Sequence, residues 1–215
     1  MAKTGNPPGR PRKFCEEQAL GAAIRVFAEK GYEGASLSDL TEAMGINRVS
    51  MYATFGNKEA LFRLAMDRFS AAGNQHLAAC LSTGSAKDGI DRLLREGVTQ
   101  FTDPDGPGAC FVTQAPLTES DSTDETRRFV AQKRAGPEVA LRKRFDRAVK
   151  EGELPSDVST ADLARFYSVM IQGIALQAQH GGTREELLRV VDVAMERWPS
   201  SQSTKIKGAS RPAKS

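Results

Sequence analysis

The sequence predicts an all-α fold of about nine helices, and three observations lead to that prediction. Apolar residues recur at the three- and four-residue spacing of a helix face in several separate stretches. Capping residues precede some of these stretches. Thr183, for example, is followed three positions later by Glu186, which is the pattern of a capping box. Glycine, proline and asparagine separate the stretches. The 215 residues are enough for one medium domain or two small ones.

The first helix is expected from Glu16 to about Lys30, where Gly31 ends it. Its apolar stripe is interpreted as packing surface and consists of Leu20, Ala23, Ile24 and Phe27. We assign residues 16–57 to a three-helix N-terminal domain. A basic arm, residues 1–15, precedes it.

Two short helices joined by a tight turn are predicted between Ser36 and Lys58. Ser36 with Asp39 forms a capping pattern, Gly45 ends the first helix and Asn47 can cap the second. Met51 and Phe55 are expected to point inward in the second helix. Its outward set would be Arg48, Val49, Ser50, Tyr52 and Thr54. A helix with such an outer face suits a nucleic-acid groove, although an ordinary αα-corner of a helical bundle has the same spacing.

The stretch from Phe27 to Phe62 resembles the DNA-binding domain of TetR-type transcriptional regulators. The resemblance rests on a Phe-x3-Gly-Tyr ending of the first helix, a Gly-Ile turn, and a Met-Tyr-x2-Phe then Lys-Glu-x-Leu run. It is specific over roughly residues 15–70 and weaker beyond. The chain departs from the family pattern at Val49, Ser50 and Thr54, so the resemblance does not imply a particular operator sequence.

The predicted DNA contacts divide by chemistry. Arg48 can reach guanine acceptors, Val49 a thymine methyl, and Ser50 a base edge or a phosphate. The resemblance implies that Tyr52 and Lys58 contact phosphates. The helix start at Ser36 adds another phosphate site, and Asn47 and Thr54 complete the helical set. In the arm, Arg10 and Arg12 lie in a Gly-Arg-Pro context slim enough for a minor groove.

A fourth helix is expected from Lys58 to about Ala71, capped by Asn57 and apolar on two sides. One side would close the N-terminal domain and the other would contact the next domain. We therefore assign residues 58–72 to a connecting helix that couples the two domains.

Residues 73–199 are predicted to form a second helical domain. Its helices would run from Lys87 to Phe101, through a short segment after the loop at 103–108, and from Ser122 to Gly152 with a break or kink at Pro137. The last two helices, from Thr160 to His180 and from Thr183 onward, are the most apolar. They are expected to pair with their copies in a second chain as a homodimer; the alternative is a monomer that buries both.

The resemblance to TetR-type regulators implies a small-molecule pocket in this second domain. The residues considered for it are Met66, Phe69, His76, Phe101, Cys110, Phe111, Gln114, Phe129, Phe145, Phe166, Tyr167 and Met170, with Gln172 as a further polar group. The alternative for each aromatic residue is an ordinary place in the core. The function expected is a dimeric repressor that binds double-stranded operator DNA and is released by a small-molecule effector.

Charge, hydropathy and motif content argue against a secreted protein, a membrane protein and an enzyme. The net charge is +3, but lysine and arginine without acids are concentrated in the arm and in a tail at 200–215, which is expected to be disordered. The N-terminus has no apolar core of a secretory signal, and no apolar run could span a bilayer, so a cytoplasmic, nucleoid-associated protein without membrane contact is expected. The sequence has no HExxH, phosphate loop or nucleophile elbow, so no enzyme is predicted.

The cysteines predict neither disulfides nor a metal knuckle, because Cys15, Cys80 and Cys110 are odd in number and far apart. No cofactor and no metal are expected. Two alternatives to an effector-responsive repressor stay open. One is a thiol sensor acting through Cys110 on the same scaffold, and the other is a helical adaptor that does not bind DNA.

Overall fold

The computed structural model describes residues 15–104 and 124–200, and every regular element in those ranges is an α-helix. The eight helices are α1 (Glu16–Gly34), α2 (Leu37–Met44), α3 (Arg48–Phe55), α4 (Lys58–Ser82), α5 (Ala86–Phe101), α6 (Asp124–Lys150), α7 (Thr160–Gln179) and α8 (Arg184–Glu196). The predicted all-α class is confirmed. The arm with Arg10 and Arg12, the short segment with Cys110, Phe111 and Gln114, the cap at Ser122 and the tail at 201–215 lie outside the described residues.

The predicted caps are confirmed at α2, α3, α4 and α8. Ser36 and Asp39 form a reciprocal capping box, as do Thr183 and Glu186. At α3 and α4, the asparagine side chain before the helix accepts a hydrogen bond from the third backbone amide of its own helix. Such caps satisfy amides that the helix itself leaves without partners, so they fix where each helix begins.

The helix α1 breaks where the sequence places its end. Gly31 has φ 70° and ψ 176°, a conformation that costs little only for glycine, and one further turn follows it to Gly34. The turn between α2 and α3 depends on Gly45, which is left-handed at φ 67° and ψ 29°. These two glycines set the angles at which α1, α2 and α3 meet.

The helix α4 runs to Ser82, well beyond the predicted end near Ala71. Its first half packs into the N-terminal core and its second half, through Leu77, Cys80 and Leu81, packs into a separate core. Burial at both ends stabilises the helix across the exposed Gly73, whose weak helix propensity suggested a break. The helix α4 therefore contacts one core with its first half and the other core with its second half. The sequence had predicted contacts through two opposite faces of a shorter helix.

The helix α6 runs on through Pro137, so of the two predicted alternatives, a kink or an end, the proline does not end the helix. Proline removes one backbone amide from the helix, but buried residues anchor the helix before and after Pro137. Val130 packs into the N-terminal core, while Leu141 and Phe145 pack into the C-terminal one. Two predicted helical segments thus form one helix that, like α4, contacts both cores.

Helices α1 to α3 and the start of α4 surround the N-terminal core, and α5, α7, α8 and the ends of α4 and α6 surround the C-terminal core. Trp198, just past α8, packs in the second core with its ring 5.9 Å from Phe145 and 5.6 Å from Tyr167. None of the helices in the described ranges is long and apolar enough to cross a bilayer.

Two close contacts hold α5 in place. A Cβ atom on Gly89 would lie 2.8 Å from the carbonyl oxygen of Cys80, so α5 can approach α4 this closely only with glycine at that position. At the start of α5, the Glu153 carboxylate accepts a hydrogen bond from the Ala86 amide and pairs with the buried Arg144 at 2.9 Å. These contacts fix the position of α5 against α4 and α6.

Candidate functional site

The helix α3 lies on the surface with one side buried and the other open to solvent. Met51 and Phe55 are buried in the N-terminal core, as predicted. On the outer side, Val49 is 78% exposed and Tyr52 is 48% exposed, although apolar and aromatic residues of this size usually pack inside. Arg48 and Thr54 are also exposed, and Ser50 is half-buried. The outer face is thus available to a partner along the whole length of the helix.

Arg48 is held at the base of this face by the preceding helix. Its Nη2 donates a hydrogen bond to the Oγ of Ser38 at 3.0 Å. The Asn47 side chain accepts from the Ser50 amide at 2.8 Å, so Asn47 caps α3. Two separate hydrogen bonds thus position three of the residues predicted to contact DNA at the start of α3.

Ser36 and Lys58 flank the face from the neighbouring helix starts. The Ser36 hydroxyl donates to Asp39 at 2.7 Å, and Lys30 pairs with the same carboxylate at 2.8 Å. The hydrogen bond from Lys30, followed by those from Ser36, holds the pKa of Asp39 well below its usual range. Lys58 lies over the ring of Tyr32, with its Nζ 4.6 Å from the ring centroid. Both predicted phosphate contacts thus have fixed positions within the N-terminal domain.

A cavity of about 750 Å³ lies where the N-terminal domain meets the C-terminal helices. Its walls come from α1, α4, α5, α6 and α7. Of the residues considered for a ligand, Phe69, His76 and Phe101 line it, and so does Gln172. The volume is in the range of small-molecule sites.

Among the described residues, the other candidates for a ligand do not line this cavity. Met66, Phe145 and Tyr167 are fully buried in the two cores, and burial raises the pKa of Tyr167 to about 12. Met170 packs against the C-terminal core, and Phe166 is exposed on α7. Phe129 lies beneath the cations of Arg63 and Lys133. The helical period shows which apolar side chains share one face of a helix. It does not show whether that face packs into a core or lines a cavity.

Apart from His76 and Gln172, the polar part of the cavity wall was not predicted. It includes the charged residues Glu17, Arg25, Arg68, Lys133 and Arg134 and the polar residues Ser70, Asn74, Gln100 and Ser168. Arg68 pairs with Glu17 at 2.5 Å, linking α4 to α1 within the wall. The Ser70 hydroxyl is buried and has no hydrogen-bond partner in the described part of the chain. The sequence gives no signal for these positions, because charged and polar residues on a helix are usually exposed to solvent.

Comparison with known proteins decides the family. The model of bacterial regulatory proteins of the tetR family matches residues 19–65, and the tetracyclin repressor-like C-terminal domain matches residues 86–194. The chain belongs to the TetR family. The second match covers half of the chain, so the membership includes the C-terminal helices, where the sequence resemblance was weak.

The relatives that match this TetR-family chain over most of its length include a curated repressor and a solved regulator structure. The HTH-type transcriptional repressor ComR of Escherichia coli K12 is 30% identical over 89% of this chain and 92% of its own. A solved structure of the TetR family regulator CifR, a cysteine mutant complexed with 26-bp double-strand operator DNA, is 39% identical. Its TM-score is 0.82, over 88% of this chain and 100% of that one.

A cluster around Arg63 connects the N-terminal and C-terminal parts of this TetR-family chain. Arg63 of α4 donates hydrogen bonds to Glu125 at 2.8 Å and to the Thr126 hydroxyl at 3.1 Å, both at the start of α6. It also pairs with Glu59 one turn earlier on α4. The side chain of Thr126 is buried and donates to Glu59. Helix α4, which follows α3, is thereby joined to α6, and α6 forms part of the cavity wall.

A second cluster lies beside the cavity, between α4 and α5. The sequence predicts no metal site, yet the side chains of His76, Cys80 and Glu96 converge there. Burial, and then the charge of Glu96, raises the pKa of the Cys80 thiol. The signal available in the sequence was the His-x3-Cys spacing, which puts both side chains on one face of a helix. The third member comes from another helix, so only tertiary structure brings it there.

Proposed function

We propose that this TetR-family protein is a dimeric transcriptional repressor that binds a near-palindromic operator and releases it when a small molecule fills the cavity. The observation that carries the proposal is the position of the cavity, whose wall includes α1 of the DNA-binding unit as well as α4 to α7. The repressor name of the ComR relative and the operator complex of the CifR relative support it. Such a protein would act on the chromosome, in the cytoplasm.

The helix α3 is the proposed reading element. Arg48 would donate to guanine, Val49 would contact a thymine methyl and Ser50 would reach a base edge or a phosphate. Tyr52, Thr54 and Lys58 would fix the register through phosphates, together with the helix starts at Ser36 and Asn47. Arg10 and Arg12 would enter the neighbouring minor groove.

The proposed dimer interface is the outer surface of α7 and α8. Large apolar side chains stay exposed there in a single chain: Phe166, Val169, Leu176, Val190 and Val193. A contiguous exposed apolar surface of this kind marks an interaction site. Two such surfaces related by a two-fold axis would form a four-helix interface, and the two α3 helices would then read half-sites about 34–36 Å apart.

Release would use the contacts between α1 and α4 at the cavity. A ligand in the cavity would press between Glu17 and Arg25 on α1 and Arg68 and Phe69 on α4. Any shift of α4 would pass to α3 and also, through the Arg63 cluster, to α6. A difference of about 1–3 kcal/mol between the ligand affinities of the two states would change operator affinity about 5- to 150-fold.

Selection of bound duplexes from a random pool tests the proposal. The wild-type protein should enrich a near-palindrome, and its binding to that duplex should weaken steeply with salt. Arg48→Ala should enrich the palindrome less strongly and lose its preference at one base pair of each half-site. Arg142→Ala, which removes the same charge from an exposed position on α6, should keep it. Failure of the wild-type protein to enrich any sequence would contradict DNA recognition and revive the helical adaptor.

A further inference from the structure

Three side chains with different donor atoms meet between α4 and α5. His76 and Cys80 are one helical turn apart on α4, and Glu96 faces them from α5. The Cys80 Sγ lies 3.7 Å from His76 Nε2 and 3.6 Å from a carboxylate oxygen of Glu96, and the imidazole and the carboxylate are 3.4 Å apart. The three donor atoms thus form a small, nearly equilateral triangle.

The size of this triangle matches one face of a zinc coordination tetrahedron. Zinc binds sulfur at about 2.3 Å and nitrogen or oxygen at about 2.0–2.2 Å, which at tetrahedral angles separates the donors by about 3.3–3.6 Å. The three measured separations agree with that range to about 0.1 Å. Hydrogen bonds to the sulfur atom alone would give similar distances. The chemical nature of the three donors distinguishes a metal site from such a cluster.

The donor set suits zinc. Thiolate, imidazole and carboxylate are the three side-chain ligands that Zn²⁺ accepts, whereas Mg²⁺ and Ca²⁺ prefer oxygen ligands only. On these grounds we propose that His76, Cys80 and Glu96 form a Zn²⁺ site with a fourth position open to water. On binding, the Cys80 thiol transfers its proton to solvent and the thiolate sulfur bonds to the ion.

The surrounding structure holds the three donors together, with Cys80 buried and the other two accessible from solvent. Gly89 brings the α5 backbone against the Cys80 carbonyl, and neighbouring Leu77 and Leu81 are buried in the C-terminal core. The His76 side chain is 38% exposed and that of Glu96 is 50% exposed, so an ion can enter from solvent. A bound ion would join α4 to α5 beside the cavity, whose wall includes His76.

The first test uses Co²⁺ as a spectroscopic probe in the full-length chain. The chain has three cysteines, so a Cys15→Ser, Cys110→Ser background leaves Cys80 as the sole thiol. Co²⁺ should then give thiolate-to-metal charge transfer and the strong visible bands of a tetrahedral site, and one equivalent of Zn²⁺ should abolish both. Absence of the charge-transfer band would overturn the proposal.

Matched variants separate this site from surface binding. His76→Gln, Cys80→Ser and Glu96→Gln should each weaken Zn²⁺ binding at least about 10-fold, as loss of metal-site groups does. His180→Gln and Glu196→Gln remove an imidazole and a carboxylate at exposed positions and should leave it unchanged. Equal binding by all five variants would show an adventitious ion only and overturn the proposal.

Thermal unfolding gives a readout that does not depend on DNA. Zn²⁺ at about 100 times its Kd should raise the Tm of the wild-type protein by about 5–10 °C. It should raise the Tm of Glu96→Gln by no more than about half as much, because a Kd at least about 10-fold weaker leaves at most about half of the stabilisation. This variant should fold, because the Glu96 side chain is half-exposed. Equal Tm shifts in both would overturn the site. The proposed repressor function would stand in that case, because operator binding is measured without added metal.

Discussion

Arg48 of α3 donates a hydrogen bond to the Oγ of Ser38 in α2 at 3.0 Å. The guanidinium that we propose to read guanine is therefore oriented before any DNA arrives. A side chain held in its bound position loses less entropy on binding, which raises affinity without adding a contact. The relationship makes α2 part of the reading apparatus, although α2 itself is expected to contact only phosphates.

Replacing Arg48 should cost more than replacing its partner. Arg48→Ala should weaken operator binding by about 1–3 kcal/mol and relax specificity at one base pair, because a bidentate contact to guanine is lost. Ser38→Ala should weaken it by less, about 0.5–1.5 kcal/mol, the value of one ordinary hydrogen bond. Fluorescence anisotropy on the selected duplex and its single-base variants measures both. A larger effect at Ser38 than at Arg48 would mean that another residue reads the base.

Lys58 should act on affinity but not on sequence preference. Lys58→Gln should weaken binding to all duplexes alike and reduce the slope of log K against log salt by about one, because one phosphate contact is lost. The control is Lys87→Gln, an exposed lysine at the start of α5. Salt titrations of operator binding measure this slope for both variants. An unchanged slope for Lys58→Gln would assign the lysine only to its contact with the Tyr32 ring.

Charge on the outer surface of α7 and α8 should separate the protomers. Val169 is 61% exposed and Val193 is 60% exposed in a single chain, so glutamate at either position should not disturb the core. In the dimer it would bury an unpaired charge. Val169→Glu and Val193→Glu should therefore sediment as monomers, whereas Val139→Glu, at an exposed valine on α6, should remain dimeric. Dimers of all three variants would place the interface elsewhere.

The pair of Glu153 and Arg144 should make stability depend on pH. Burial raises the pKa of Glu153, but hydrogen bonds from the Ala86 amide and from Arg144 outweigh it and hold the pKa below its usual 4.5. A lowered pKa stabilises the fold above the usual value, and that contribution is lost as pH falls through the folded pKa. Glu153→Gln should thus cost about 1–3 kcal/mol at pH 7, the value of lost hydrogen bonds to a charged group, and less near pH 3.5. Urea melts at both pH values measure this, and an equal cost at both would contradict it.

Two glycines of α4 and α5 should respond in opposite ways to alanine. At Gly89 the added methyl would lie 2.8 Å from the Cys80 carbonyl, so Gly89→Ala should destabilise by about 1–3 kcal/mol. At Gly73 the added methyl would meet no atom within 4 Å, so Gly73→Ala should stabilise α4 by about 0.5–1 kcal/mol. Denaturant melts of both variants measure these changes in the free energy of unfolding. An unchanged free energy of unfolding in Gly89→Ala would show that α5 can shift away from α4.

Local signals account for the features that could be predicted. The caps at Ser36, Asn47, Asn57 and Thr183 act within one turn of their own helix, and the buried pair Met51 and Phe55 follows from the helical period. These signals define the N-terminal domain and the outer face of α3. The start of each element was therefore readable where a side chain and a backbone amide of the same helix meet.

Features that depend on distant contacts could not be read in the same way. Burial of Leu77 and Leu81 extends α4 past Gly73, and packing on both sides carries α6 through Pro137. Tyr167 and Phe145 look like cavity residues in sequence but pack in the core. The charged cavity wall and the convergence of Glu96 on α4 require the helix arrangement itself.

Operator binding as a function of half-site spacing tests the central claim most directly. The selected palindrome and a version with about five base pairs inserted at its centre carry the same half-sites, but the insertion turns one of them by about half a helical turn. We expect two protomers on the native duplex and a loss of at least about 10-fold in affinity on the lengthened one. Equal affinity for both duplexes would contradict a dimer that reads two half-sites through α3.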